Sequence, residues 1–371
     1  MKKLLSLLLA LSLVVALCAC GGAKKEEPAP APTEEAAPTE EAAPAEEAAP
    51  AEEAAPAEEA APAEEAAPAE EAAPAETEAK TWTVGICQLV QHEALDAATK
   101  GFRDAIVEAL GEDAVVFDEQ NASGDIPTCA TICNGFAAAN VDLIMANATP
   151  ALQAAVAATE TIPVLGTSVT EYGVALGIEN FDGVPGGNVS GTSDLAPLVQ
   201  QAEMILELFP EAKTVGILYC SAEANSVYQV KVVTDALEAK GITVNAYSFA
   251  DSNDVAAVTQ SACADSDVIY IPTDNTAAAC AEAIGNVVEP ANVPVIAGEE
   301  GICRGCGVAT LTINYYDLGR TTGEMAVKVL TGEADISTMP IEYFPNPVKK
   351  YNPAMAEHFG LTMPEDYEAL Q

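Results

Sequence analysis

From residue 80 onward one repeated pattern leaves few folds open. A short run of β-branched and aromatic residues is followed by a longer stretch with apolar side chains at every third or fourth position, and the cycle restarts. Strands are expected at 83–89, 114–117, 141–146 and 162–166, and Leu95, Ala98, Phe102 and Ile106 share a helical face between the first two. A second series opens with Leu198, Ala202, Ile205 and Phe209 on one face. It continues through strands at 214–219, 243–249, 268–272 and 293–297, with Val227, Val230, Val233 and Leu237 on a helix between them. Successive strands joined by helices run parallel, because a crossover long enough to restart a parallel strand is supplied by a helix. The expected class is therefore α/β, with parallel sheets covered on both faces. A Gly-rich segment, 183–191, separates the two series, so two lobes joined by a hinge are expected.

The first 80 residues follow different rules. Lys2 and Lys3 precede an apolar run, 4–17, shorter than the roughly 20 residues that a bilayer core requires, so residues 1–19 read as a secretion leader. Small residues follow, and Leu17-Cys18-Ala19-Cys20 resembles a bacterial lipobox in which Cys20 would carry a diacylglycerol. An ordinary signal peptide with incidental cysteines is the alternative. Residues 20–80 repeat Glu-Glu-Ala-Ala-Pro-Ala, with prolines at 44, 50, 56, 62, 68 and 74. Each proline removes a helix donor, and no large apolar side chain offsets the entropy of ordering, so a disordered, extended tether is expected. The formal net charge of the chain is −42, which argues against nucleic acid or anionic lipid headgroups as partners.

In open parallel sheets ligands bind beyond the carboxyl ends of the strands. Those ends read Gln91-His92, Ala148-Thr149-Pro150, Thr167-Ser168, Ser221, Thr273-Asp274-Asn275 and Gly298-Glu299-Glu300. The inventory is small, polar and neutral or acidic, suited to hydrogen-bonding both ends of a zwitterion. The chain has only two histidines, His92 and His358, and no nucleophile–base–acid grouping is readable from spacing. Residues 183–191 lack the Gly-Lys-Ser/Thr ending of a phosphate loop. Cys303-Arg304-Gly305-Cys306 has the spacing of a redox or zinc pair, and Cys129 and Cys133 can share a helix face. Buried apolar packing is the competing reading of all of them. No cofactor and no metal are expected.

Further motifs carry a resemblance. They are the runs 90–96, 121–125, 148–150 and 187–194, Asn225-Ser226 with Gln229, Pro272 to Asn275, Gly298 to Glu300, and Tyr316 through Gly323. Together they resemble the type I periplasmic-binding-protein fold, and within it the ABC importer receptors that include aromatic amino acid binders. The resemblance implies two Rossmann-like lobes joined by a three-crossing hinge, with lobe one at 81–192 and 308–333 and lobe two at 193–307 and 334–371. It implies a monomer that closes on its ligand and delivers it to an ABC permease and its ATPase subunits. Ligand contacts are implied at matching positions. Asp194 would accept an α-ammonium, or alternatively cap the helix that follows. Thr149, Thr167 and Ser168, and Asn225 and Ser226 from the other lobe, would donate to a carboxylate or act as caps. Thr273, Asp274 and Asn275 form a site-like triplet or an Asx turn, and Gln91, His92 and Glu299 complete the expected lining. The competing functions are a receptor for a sugar, nucleoside or short peptide, a sensory receptor, and a surface thiol oxidoreductase built on Cys303 and Cys306.

Overall fold

The computed structural model describes residues 80–344 and 346–371; the leader, Cys20 and the Glu/Ala/Pro repeat lie outside them. The first series runs β1 (Trp82–Gln88), α1 (Glu93–Leu110), β2 (Val115–Asn121), α2 (Ile126–Ala139), β3 (Leu143–Asn147), α3 (Thr149–Ala158), β4 (Val164–Val169), α4 (Tyr172–Leu176) and β5 (Val189–Ser193). The second runs α5 (Leu198–Leu208), β6 (Thr214–Cys220), α6 (Ala224–Glu238), β7 (Thr243–Phe249), α7 (Val255–Asp265), β8 (Val268–Ile271), α8 (Asn275–Ala279), α9 (Ala281–Ala291), β9 (Val295–Ala297), α10 (Glu300–Cys306) and β10 (Ala309–Thr312). The chain closes with α11 (Tyr315–Thr331), β11 (Glu342–Tyr343), β12 (Val348–Tyr351), α12 (Pro353–His358) and β13 (Glu368–Ala369).

Two sheets result, ordered β11-β5-β4-β3-β1-β2 and β13-β12-β10-β9-β8-β6-β7. Every pairing is parallel except β10 with β12. Alternation along β1 shows why both faces must be covered. Val84 and Ile86 pack with Phe102 and Ile106 of α1 and Met325 of α11, whereas Cys87 packs with Phe136 of α2 and Leu152 of α3.

Strand membership shifts the lobe boundaries from those implied by resemblance. β10 pairs with β9 and β12, so residues 309–312 belong to the second sheet and the return to lobe one begins with α11. β11 pairs with β5, so lobe one keeps the chain through Tyr343, beyond the expected 333. The reason is nonlocal: a β-rich run announces a strand but not which sheet will accept it. β5 itself falls largely inside the segment that composition marks as hinge. There Gly191 has φ 142°, and a side chain would meet the carbonyl of Gly166 and the hydroxyl of Tyr172. The chain still passes between sheets three times: after β5, after β10 and after β11.

α11 is held against α1 by bare backbone. A β-carbon at Gly101 would run into the carbonyl of Tyr316, and one at Gly319 into that of Ala98. The returning helix thereby becomes part of lobe one, although two hundred residues of sequence separate it from its partner.

Candidate functional site

The carboxyl ends of β1 and β2 meet those of β6 and β8 across a seam between the lobes. His92 Nε2, just after β1, lies 3.3 Å from Asn275 Oδ1, just after β8. Val90, Gly124 and Ile126 of lobe one line a groove of about 340 Å³ together with Ala222, Glu223, Thr276 and Cys280 of lobe two. Glu93 and Arg304 form an ion pair across the same seam.

Five of the expected residues carry a buried polar atom with no hydrogen-bond partner among the described residues, His92 Nδ1, Thr149 Oγ1, Ser168 Oγ, Asp194 Oδ1 and Asn225 Oδ1, a state shared by Trp82 Nε1, Asn147 Oδ1, Ser266 Oγ and Thr310 Oγ1. His92, Thr149 and Ser168 were expected from strand ends, whereas Asp194 and Asn225 came with the resemblance, and Asn225 lies in the first turn of α6. Unpaired buried polar groups cost roughly 1–3 kcal/mol each, so these are the atoms that a bound polar molecule or an ordered water would satisfy. Local structure supports this at Thr149. Ala148 holds φ 94° and ψ 156°, a region that only glycine enters without strain, and no side chain caps α3. The Thr149 hydroxyl, at the start of α3, is thus left without a partner. Ser168 is also strained, at φ 54°.

Asp194 is 3 % exposed, and its Oδ2 accepts the Tyr315 hydroxyl at 3.0 Å. Burial pushes its carboxyl up to about 6, against the lowering pull of the Tyr315 hydrogen bond. It does not cap the next helix, because Pro197 occupies that position without a side-chain bond. The cap reading fails here and the open oxygen remains. His92 stands at the N-cap position of α1 without capping it, and burial lowers its imidazole below the usual value, favouring the neutral ring.

Other expected residues have structural duties. Thr167 shares its hydroxyl with Thr192 at 3.2 Å, and Thr192 continues to Thr322 of α11 at 2.8 Å. Asp274 caps α8 through the Ala277 amide at 2.8 Å and also accepts from Cys220 N at 2.6 Å and Ser226 Oγ at 2.7 Å. Burial, with nearby Glu223, raises Asp274 to about 7. Glu299 caps α10 through Gly301 N at 2.7 Å and Ile302 N, and burial raises it to about 7. Thr273 donates to the Gly298 carbonyl at 3.2 Å, and Gln91 is exposed outside the cluster.

Two residues were missed in the sequence. Glu223, 1 % exposed, gathers Asn275 Nδ2 at 2.6 Å, Thr276 Oγ1 at 2.8 Å, Thr276 N at 2.9 Å and Asn225 Nδ2 at 3.1 Å. It orients the lobe-two face of the seam, and its signal was only its place between β6 and α6. Tyr315, the partner of Asp194, had no local signal at all.

The cysteines of the motif are buried in the core. Cys303 and Cys306 are free and buried in the lobe-two core, and burial pushes both thiols up. Reactive thiols are partly exposed with lowered pKa values, so the burial of these two fits the apolar-packing reading of the motif better than the redox one. Cys129 and Cys133 do share the buried face of α2, packed with Cys87.

Residues 83–370 match the profile of the family described as ABC transporter substrate binding protein. The chain is 36 % identical over 267 residues to a tyrosine-binding protein of Clostridioides difficile strain R20291, covering 71 % of this chain and 76 % of that one. A Streptococcus pneumonia ABC domain crystallised with L-Trp is 33 % identical, with TM-score 0.74 over 77 % of this chain and 97 % of that one. A ligand-free, open substrate-binding protein with adhesive properties from Clostridium difficile is 36 % identical. Its TM-score is lower, 0.61, over 78 % of this chain and 99 % of that one.

Proposed function

Because the chain belongs to the ABC transporter substrate-binding protein family, we propose that it captures one amino acid, with an aromatic side chain, between its lobes and delivers it to an importer. The carrying observation is the set of unpaired buried polar atoms, drawn from both lobes and from residues of opposite chemical use. Asp194 Oδ1 receives the α-ammonium as a charge-assisted bond strengthened by exclusion of water. The Thr149 and Ser168 hydroxyls and the amides opening α3 receive the carboxylate. His92 and Asn225 close over the side chain from the seam. The aromatic preference follows the tyrosine- and L-Trp-binding relatives. Closure of the lobes is supported by the contacts across the seam and by the higher TM-score with the L-Trp complex than with the open relative, despite lower identity.

Binding proceeds without turnover, the protein is monomeric, and ATP is hydrolysed by the ATPase subunits of the importer. The protein acts outside the cytoplasm, held at the membrane by lipid on Cys20. Titration calorimetry on the full chain tests the reading against L-tryptophan, L-tyrosine, the other amino acids, sugars and nucleosides. Micromolar or tighter binding of an aromatic amino acid is expected. Silence toward every amino acid at millimolar concentration would refute it.

A further inference from the structure

The thiols of the Cys303-Arg304-Gly305-Cys306 segment are buried, and the geometry of the segment is specific. On α10 the two cysteines point into the lobe-two core, and a β-carbon at Gly305 would collide with Ala281 of α9. Both cysteines and Gly305 thus anchor the segment, and Arg304 faces Glu93 of the other lobe. There Arg304 is held further within its own lobe, by Glu300 Oε1 at 2.8 Å and the Gln371 backbone oxygen at 2.6 Å. Lys350 pins Glu300 from behind at 2.6 Å. The remaining partner is on the other lobe: Glu93, in the first turn of α1, receives Arg304 Nε at 2.9 Å and Nη2 at 3.1 Å. Glu93 directly follows His92, whose ring faces Asn275.

We propose that Arg304 is a positioning residue for ligand capture: a guanidinium preorganised on lobe two that clamps Glu93 of lobe one and slows reopening. Grooves run along the seam on either side of Glu93, one bounded by Ala278 and Glu282 and one by Asn314 and Tyr316, so the pair spans the seam as a strut. An isolated, half-exposed ion pair contributes little, because two long side chains must be ordered to make it. Here the fork is bidentate and the arginine is already ordered by its own lobe, so most of that entropy is spent before closure. Acting only when the lobes meet, the pair bears on dissociation more than on encounter.

The inference rests on the amino-acid receptor reading, and its test separates the two. Dissociation of L-tryptophan and L-tyrosine from the full chain is followed by stopped flow for wild type, Glu93→Gln, Arg304→Gln, Arg304→Lys and the Glu93→Gln/Arg304→Gln double variant. Each glutamine variant is expected to dissociate about two- to fivefold faster, with the association rate little changed. The double variant should be no faster than either single, as required of partners in one interaction. Arg304→Lys should fall between, since lysine keeps the charge and loses the fork. Independently of any ligand, nitroxides at Gln120 and Ser248, exposed near the ends of β2 and β7, report lobe separation by pulsed electron resonance, and Arg304→Gln should populate longer distances. Unchanged dissociation, additive effects, or an unchanged distance distribution would each overturn the latch. Failure of the wild type to bind either amino acid would instead refute the ligand assignment, leaving the distance measurement to decide the latch.

Discussion

At the scale of single residues, the candidate site is defined by groups the fold leaves without partners. Asp194 is the most informative, because its carboxyl is pushed up to about 6 by burial while one oxygen stays open. Only the ionised form binds an ammonium well. Affinity should therefore be full above that value and fall as pH drops through about 6, measurable by calorimetry between pH 7.5 and 5. Asp194→Ala should weaken binding at pH 7.5 by about 1.5–3 kcal/mol, as for loss of a hydrogen bond to a charge, and remove the dependence. An unchanged dissociation constant would take Asp194 out of the site. Thr149 makes the converse point. Its hydroxyl is buried and unpaired, so Thr149→Val should weaken ligand binding while leaving the melting temperature of the free protein unchanged or higher. A large fall in melting temperature would show that the hydroxyl serves folding.

At the scale of elements, the alternation of strand and helix was legible because each period imprints itself on a few consecutive residues. β1, α1, β6 and α6 all fall where the apolar spacing places them. β5 was not, since its Gly191 and polar neighbours read as hinge while the strand exists through pairing with β4. The destination of β10 was hidden for the same reason, being decided by β9 and β12. Among the candidate residues, His92, Thr149 and Ser168 were legible as polar residues at strand ends, whereas Asp194 and Asn225 were marked only by the resemblance. What was not legible is that Asp274, Glu299 and Thr167 spend their polar atoms on caps and relays. A sequence shows which residues reach a strand end, and only packing shows which of their atoms remain free. The glycine contact of α1 with α11 makes an element-level prediction. Gly319→Val should destabilise lobe one by about 1–3 kcal/mol or more in urea unfolding, because the new side chain meets backbone that has no alternative position. A variant with wild-type stability would show that the helices are not held at that distance.

At the scale of the whole molecule, buried acids and a strongly negative chain act in the same direction. Asp194, Asp274 and Glu299 are pushed up to about 6, about 7 and about 7, each first of all by burial. A carboxyl raised on folding contributes stability below its unfolded value, near pH 4, and that contribution is lost as pH rises through the folded value. His92, lowered by burial, pulls the other way, one group against three, so the free protein should still melt at higher temperature at pH 5 than at pH 7.5, by a few degrees, with less self-repulsion adding to the trend. A bound ammonium on Asp194 should narrow the difference, and scanning calorimetry at both pH values with and without L-tryptophan reads both effects. A melting temperature that rises from pH 5 to 7.5 would contradict the assignment of these groups as buried and unpaired with any cation.

The central claim is that one small zwitterion satisfies polar atoms that the two lobes leave open between them. The most direct measurement is a crystal structure of the protein grown with L-tryptophan or L-tyrosine. The account predicts the ammonium within hydrogen-bond distance of Asp194 Oδ1, the carboxylate on Thr149 and the first amides of α3, and the side chain enclosed by His92 and Asn225. An amino acid bound elsewhere, with those atoms still unpaired or satisfied by protein alone, would contradict it.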